Sequence, residues 1–254
     1  MRFLSNTFFR TTACIWLVGF AAIGPVGEAS ANSDLLDVIA RIDYGFYAGD
    51  VNLIVAASAE LEHLRGNDRE RAYYGAYAAW RLNQIDAAAA PRLRRERSER
   101  CFASTAELAE DPSWALEAHV LAAACALAVH GEKSARGAGM QGKVVQAIDA
   151  ARAIDTENPR LLLVAALALP AHDHAEQQLT QLGALEAAVA RFDAAPTDLG
   201  LRPAWGRAEA LAHLGKLQLA RGRTREARDL IERALLDAPE YRFALQLQNA
   251  LSLR

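Results

Sequence analysis

Four residues on one predicted helix carry the groups best suited to holding a ligand. Tyr73, Tyr77 and Trp80 recur at spacings of four and three residues, which places them on one helical face, and Arg81 lies beside that face. Aromatic rings and a guanidinium bind peptides through stacking, cation–π contacts and hydrogen bonds. The same side chains could instead pack between helices, and we favour packing for Trp80 and at least one of the tyrosines.

Two histidines could bind a metal ion, but they lack the further ligands that a metal site needs. His172 and His174 form a His-x-His pair beside Asp173. Two ligands do not make a metal site, so we expect this pair to be solvent-exposed in a loop, and we expect no metal or other cofactor. The sequence contains no Gly-x-Ser-x-Gly elbow, P-loop, Rossmann glycine pattern or His-Glu-x-x-His motif. We therefore expect a protein that is not an enzyme.

An arginine-rich run could meet an anionic surface. It is interrupted by two glutamates, and mixed charges at helical spacings usually pair within their own helix. The net charge of −3 argues against a nucleic-acid partner bound through bulk positive charge. The residues of this run are Arg92, Arg94, Arg95, Glu96, Arg97, Glu99 and Arg100.

The first 31 residues have the pattern of a secretory signal peptide. Arg2 and Arg10 provide a positive start, an apolar run covers residues 14–23, and small residues at positions 29–31 fit a cleavage site before Asn32. An uncleaved anchor is the alternative, but a membrane span needs about 20 apolar residues and this run is shorter. We expect export to the periplasm, with secretion as the alternative, and no stable membrane span after cleavage.

Two cysteines remain after the predicted cleavage, and they are a candidate disulfide. Cys101 and Cys125 lie at similar distances on either side of the turn at residues 111–113, within a predicted hairpin of the fourth and fifth helices. An exported protein can oxidise such a pair. The alternative is two separate buried thiols, because cysteine also behaves as a small apolar residue.

The elements that must position these residues are helices. Hydrophobic residues make up 52% of the chain and charged residues 23%, enough for a packed core and too apolar for general disorder. Apolar residues recur with helical period, starting with a helix over residues 34–47, and most connections are short, so neighbouring helices should pack as antiparallel hairpins. Long loops are predicted at residues 131–142, where glycines cluster, and at residues 194–203.

One segment of 34 residues, 208–241, resembles a tetratricopeptide repeat (TPR). Small residues allow close helix approach, a glycine supplies the turn and a proline opens the next helix. Gln218 departs from the family, which usually has an aromatic residue there, and weaker echoes occur at 106–112 and 153–159. The matching positions are Leu211, Leu214, Gly215, Gly222, Ala227, Ile231, Ala234 and Pro239.

The resemblance implies an all-α fold, a right-handed superhelical stack of antiparallel helical hairpins over residues 32–254, of an exported bacterial type. It also implies that the first helix of each hairpin lines a concave groove that binds a protein or peptide. On the family pattern, the groove positions of the clear repeat are Glu209, Ala212, Lys216 and Leu219. Lys216 is the best candidate for a contact with a carboxylate, although simple solvation is the more ordinary role for it.

The resemblance therefore favours an extracytoplasmic interaction or scaffolding module. One alternative is a small-ligand-binding accessory protein of an envelope transport system, which an enclosed pocket with convergent polar groups would favour. The other alternative is a helical envelope enzyme, which a buried acid with a strongly shifted pKa beside a base would favour.

Overall fold

A computed structural model describes residues 26–130, 135–169, 175–196 and 200–252, and all regular structure within these ranges is α-helical. The predicted all-α class is confirmed. The eleven helices in the described part of the chain are α1 (Val26–Ala48), α2 (Val51–His63), α3 (Asp68–Ile85), α4 (Pro91–Leu108), α5 (Ala115–His130), α6 (Ala135–Ile154), α7 (Pro159–Ala168), α8 (Ala175–Ala194), α9 (Arg207–Ala220), α10 (Thr224–Asp237) and α11 (Arg242–Ser252).

The helices form a sequential stack of hairpins in two layers. Each helix packs against the next one along the chain. The odd-numbered helices also contact one another, α1 with α3, α3 with α5, α5 with α7 and α9 with α11. The odd-numbered helices therefore form an inner layer, and the even-numbered helices flank it.

Local sequence signals explain several helix boundaries. Asp50 caps α2 by accepting a hydrogen bond from the backbone N–H of Leu53 (3.0 Å), and Asn158 caps α7 in the same way. Gly222 has a φ of +76°, which suits the tight turn between α9 and α10. A Cβ placed on Gly215 would lie 3.0 Å from Ile231, so α9 and α10 approach as closely as the repeat pattern predicts.

Two predicted boundaries are wrong. The sequence predicts a loop over residues 131–142, but α6 begins at Ala135. Glycine costs about 1 kcal/mol in a helix, but Met140, Val144 and Ile148 recur at a spacing of four residues and are buried. Tertiary packing of that face outweighs the glycine propensity. The first helix also begins earlier than predicted, at Val26.

Some predictions fall outside the described residues. Most of the predicted signal peptide lies in residues 1–25, and both His172 and His174 lie in the range 170–174. No helix in the described ranges is both long and apolar enough to cross a membrane.

A disulfide joins the hairpin of α4 and α5. Cys101 in α4 and Cys125 in α5 have Cα atoms 6.6 Å apart, and both residues are buried. This is the pair singled out from the sequence, and the two helices do form a hairpin.

The two ends of the stack meet. Helix α1 contacts α11, and the rings of Tyr47 and Tyr241 lie edge to face with centroids 5.0 Å apart. The hydroxyl of Tyr47 donates a hydrogen bond to Glu209 in α9 over 2.8 Å. Because the ends close on each other, side chains of the inner layer fill the space that an open solenoid would leave as a groove.

Candidate binding cleft

A buried ion pair joins the two halves of the stack. The guanidinium of Arg81 in α3, only 1% exposed, forms an ion pair with Glu209 in α9. It lies 3.7 Å from the ring centroid of Phe46 and 4.1 Å from that of Trp80. Burial alone would lower the pKa of Arg81, but the neighbouring Tyr77 and Glu209 raise it, so the guanidinium stays charged.

Glu209 is placed by the start of its own helix. Its Oε2 atom accepts hydrogen bonds from the backbone N–H of Gly206 (3.1 Å) and from the Tyr47 hydroxyl, and its Oε1 atom accepts one from Arg81, so both oxygens are bonded. Gly206 has a φ of +113°, and a Cβ there would come within 2.7 Å of Phe192. Only glycine fits this close approach without displacing the ring.

A second buried ion pair joins α5 and α7 of the inner layer. Arg160 at the start of α7 donates two hydrogen bonds to Glu117 in α5, at 2.8 and 2.5 Å, and Asn158 donates a third at 3.0 Å. Trp205 donates its indole N–H to the hydroxyl of Tyr73 (3.0 Å). These bonds connect α3, α5, α7 and the segment that leads into α9.

The predicted partner-binding residues are brought together, but mostly inside the protein. Helices α3 and α9 do belong to the inner layer, as expected for groove-lining helices. However, seven of the eight side chains are buried, which contradicts an open groove lined by them. Lys216 alone is exposed. The buried seven are Tyr73, Tyr77, Trp80, Arg81, Glu209, Ala212 and Leu219.

The physical reason is closure of the stack. Trp205 packs against Trp80 and Tyr77 with ring centroids 5.0 and 5.9 Å away, and Glu209 neutralises Arg81. Residues that would face a ligand in an open solenoid thus face the far end of their own chain. Lys216 lies 6.0 Å from the ring of Phe243, and its role in partner binding stays a prediction.

A cleft of about 990 Å³ opens between α1, the α7–α9 region and the turn that joins α10 to α11. Aromatic, charged and small residues share its wall. Tyr44, at its edge, is 53% exposed, whereas Trp205 and Phe192 are buried. The lining residues are Ala40, Asp43, Tyr44, Tyr47, Arg160, Phe192, Asp193, Ala195, Pro196, Ala204, Trp205, Arg207, Ala208, Asp237, Ala238, Pro239 and Glu240.

The cations that line this cleft are neutralised by the protein itself. Arg160 is paired with Glu117. Arg207 bridges Asp193, at 2.8 Å, and Asp237, while Arg233 binds the same Asp193 at 2.7 Å. This network ties α8, α9 and α10 together at the rim.

Asp43 is the charged residue on the inner side of the cleft that lacks an ion pair among the described residues. One carboxylate oxygen accepts the Tyr77 hydroxyl at 2.6 Å. Burial raises the pKa of Asp43 to about 6, against the opposing effects of the Tyr77 hydrogen bond and the charge of Arg81, while Glu209 reinforces the rise. Glu240 at the rim also has no ion pair within the described part of the chain.

Local sequence patterns did not predict the roles of Asp43, Trp205 or the Glu117–Arg160 pair. A signal for Asp43 existed: it stands four residues after Ile39, on the apolar face of the predicted first helix. An acid at such a position indicates either a buried partner or a site. The partners of Glu117 and Trp205 lie 43 and 132 residues away in sequence, beyond any local pattern.

The fold is similar to that of a solved TPR protein. The crystal structure of a thermophilic TPR protein from Thermus thermophilus superposes with a TM-score of 0.51 at 17% sequence identity, covering 87% of this chain and 97% of that one. No protein-family model and no curated protein match the sequence. By fold this chain is therefore TPR-like, a stack of antiparallel helical hairpins.

Proposed function

We propose that this protein is a non-enzymatic module that acts outside the cytoplasm and binds a protein or peptide partner in the cleft between α1, the α7–α9 region and the turn that joins α10 to α11. The cleft carries the proposal, because it opens between helices of the inner layer and has a volume of about 990 Å³. It combines apolar rings with a few polar groups, the composition that recognition sites favour.

Two features support the extracytoplasmic location. The N-terminal residues have the charge, apolar run and small-residue site of a secretory signal. The bond between Cys101 and Cys125 is of the kind that persists in oxidising compartments. Sequencing the N-terminus of the protein recovered from the periplasm tests the proposed location. A start at Asn32 is the expected result.

The chemistry of the cleft supports a binding role. Both arginines of its described lining are held in ion pairs, and that lining contains no serine, cysteine, histidine or lysine. A nucleophile with an adjacent base is therefore not among the described lining residues, and Asp43 has a tyrosine rather than a base as its hydrogen-bond partner.

A small-ligand accessory protein is the second candidate. A cleft of about 990 Å³ lies at the upper end of the range for small-molecule sites, and its polar groups converge from several helices. The two candidates differ in what touches the rim, because a protein partner covers the rim whereas a small ligand leaves it in water.

Site-specific photo-cross-linking tests the proposal. A photo-reactive phenylalanine analogue replaces Glu240, at the cleft rim, and in a matched variant replaces Val145, an exposed residue of α6 away from the cleft. We expect a discrete protein adduct from position 240 in intact cells and none from position 145. Equal labelling at both positions, or none at position 240, would overturn a protein partner at this cleft.

A further inference from the structure

The cleft has an excess of negative charge once its internal ion pairs are set aside. Arg160 and Arg207 are both neutralised by carboxylates of the protein, and Asp193 and Asp237 are occupied by arginines. Two carboxylates are left without an ion pair among the described lining residues, one inside the cleft and one at its rim. They are Asp43 and Glu240.

The carboxyl group of Asp43 can accept one more hydrogen bond. Its Oδ1 atom is fixed by the Tyr77 hydroxyl, and Tyr77 is itself fully buried, so the carboxyl group is held in one orientation. Its Oδ2 atom has no hydrogen bond within the described part of the chain. A partly buried, oriented carboxylate binds a cation more strongly than a surface carboxylate does, because water screens the pair less.

Aromatic rings surround the same space. Tyr44 and Tyr47 lie on α1 with Asp43, and Trp205 and Phe192 line the facing wall. Ring faces attract ammonium and guanidinium groups, most strongly when water is excluded. The protein already uses this chemistry beside the cleft, where Arg81 lies over the rings of two buried aromatic residues.

We propose that the cleft is selective for a basic side chain, the ammonium of a lysine or the guanidinium of an arginine presented by the partner, with Asp43 as its counter-ion. This inference rests on the proposed function for the source of the cation. The anionic alternatives are disfavoured because every arginine in the described lining of the cleft is already bound to a carboxylate.

The probes are three capped tripeptides, Ala-Lys-Ala, Ala-Arg-Ala and Ala-Glu-Ala, added to the purified protein while the indole N–H resonance of Trp205 is followed by NMR. We expect saturable shifts with the lysine and arginine peptides, with dissociation constants on the order of 1 mM, and no shift with the glutamate peptide. Absence of saturable shifts with both cationic peptides, or equal binding of the glutamate peptide, overturns the inference.

A pair of matched variants assigns the counter-ion. Asp43→Asn keeps the hydrogen bond with Tyr77 and removes the charge, and we expect it to weaken binding of the lysine peptide by at least about tenfold. Asp37→Asn makes the same change on α1, outside the cleft, and should leave binding unchanged. If Asp43→Asn binds as tightly as the parent protein, Asp43 is not the counter-ion and the inference fails.

A second variant tests the site even if Asp43→Asn misfolds. Tyr44→Leu changes an exposed rim residue, and loss of an exposed cation–π contact should weaken binding by about two- to fivefold. Undiminished binding by this variant would contradict the aromatic part of the site. 1,4-Diaminobutane is the competing probe, and tighter binding of this free diamine than of the lysine peptide would overturn the assignment to a partner side chain.

The two proposals fail in different ways. A cross-linked partner at position 240 whose binding is insensitive to Asp43→Asn would leave the proposed function standing and remove the cation site. Binding of the lysine peptide without any cross-linked protein would leave the cation site standing and remove the proposed protein partner.

Discussion

At the scale of single residues, the interior depends on charges that are buried only because they are paired. Arg81 and Glu209 are both nearly inaccessible to water, and each would be costly to bury alone. Their hydrogen bonds also reach Gln84, Tyr47 and the backbone of Gly206, so the pair is part of a network. Removing one member should therefore cost more than losing a surface ion pair.

The first prediction follows for Glu209→Ala. The substitution leaves the Arg81 guanidinium buried without a counter-charge, and we expect the free energy of unfolding to fall by about 3–5 kcal/mol. Denaturant unfolding, monitored by circular dichroism, measures it. Glu96→Ala, which removes the exposed pair with Arg92, is the control and should change nothing measurable. A similar small effect from both variants would show that the buried pair does not hold the inner layer together.

The second prediction concerns the pH dependence of stability. Because the pKa of Asp43 is raised to about 6 in the folded protein, this group favours the unfolded state above pH 6 and stops doing so as the pH falls towards 4. The groups that act on its charge are Tyr77 and Arg81 from α3 and Glu209 from α9. The destabilisation of the folded state by ionised Asp43 is below about 3 kcal/mol, because the carboxyl group is partly solvated.

The comparison with Asp43→Asn isolates this effect from other carboxylates. The asparagine variant should be more stable than the parent protein at pH 8, and its advantage should shrink as the pH is lowered from 6 to 4. Urea unfolding curves at both ends of that window measure the difference. A constant difference across the window would mean that Asp43 titrates normally.

At the scale of elements, the hairpin of α4 and α5 is fixed by a covalent bond. The bridge between Cys101 and Cys125 has a sequence separation of 24 residues, and closing such a loop stabilises the fold by about 3 kcal/mol in the loop-entropy model. The third prediction is a loss of about that size in the Cys101→Ala/Cys125→Ala variant. Denaturant unfolding checks it. Thiol labelling of the unfolded, unreduced protein gives the direct test, and two reactive thiols per chain would contradict the bond.

The sequence is sufficient for elements with a strong local signal and insufficient where distant packing decides. The repeat at 208–241 is visible because Gly215 and Gly222 have roles defined within one hairpin. The start of helix α6 is not visible in the sequence, because its glycines favour a loop. Only the burial of Val144 and Ile148 against neighbouring helices reveals its helical face.

The candidate site shows the same limit. The sequence places Tyr77 and Trp80 on one face, but it cannot show that Trp205, more than 120 residues away, covers them. Closure of the stack turns predicted contact residues into core residues. The carboxyl group that then lines the inner side of the cleft without an ion pair among the described residues is that of Asp43. The local sequence pattern identifies this residue only as an acid on an apolar helical face.

At the scale of the whole molecule, contact between α1 and α11 changes how stability is shared. In an open solenoid each repeat contacts only its neighbours, so damage at one end stays near that end. Here Tyr241 packs against Phe46 and Tyr47, with ring centroids 6.1 and 5.0 Å away. The first and last helices should therefore open together.

The fourth prediction tests that coupling with Tyr241→Ala. Tyr241 is buried, and its truncation should cost about 3–5 kcal/mol through lost burial and the cavity that remains. Amide hydrogen exchange should speed up in α1 as well as in α11, because Phe46 and Tyr47 lose their partner. Ile231 is a buried residue of α10 that packs against α9, and Ile231→Ala is the matched control. It should loosen its own hairpin without a selective effect on α1. If Tyr241→Ala leaves exchange in α1 unchanged, the ends are not coupled, and the cleft that they enclose would then be free to widen into the open groove of an ordinary solenoid.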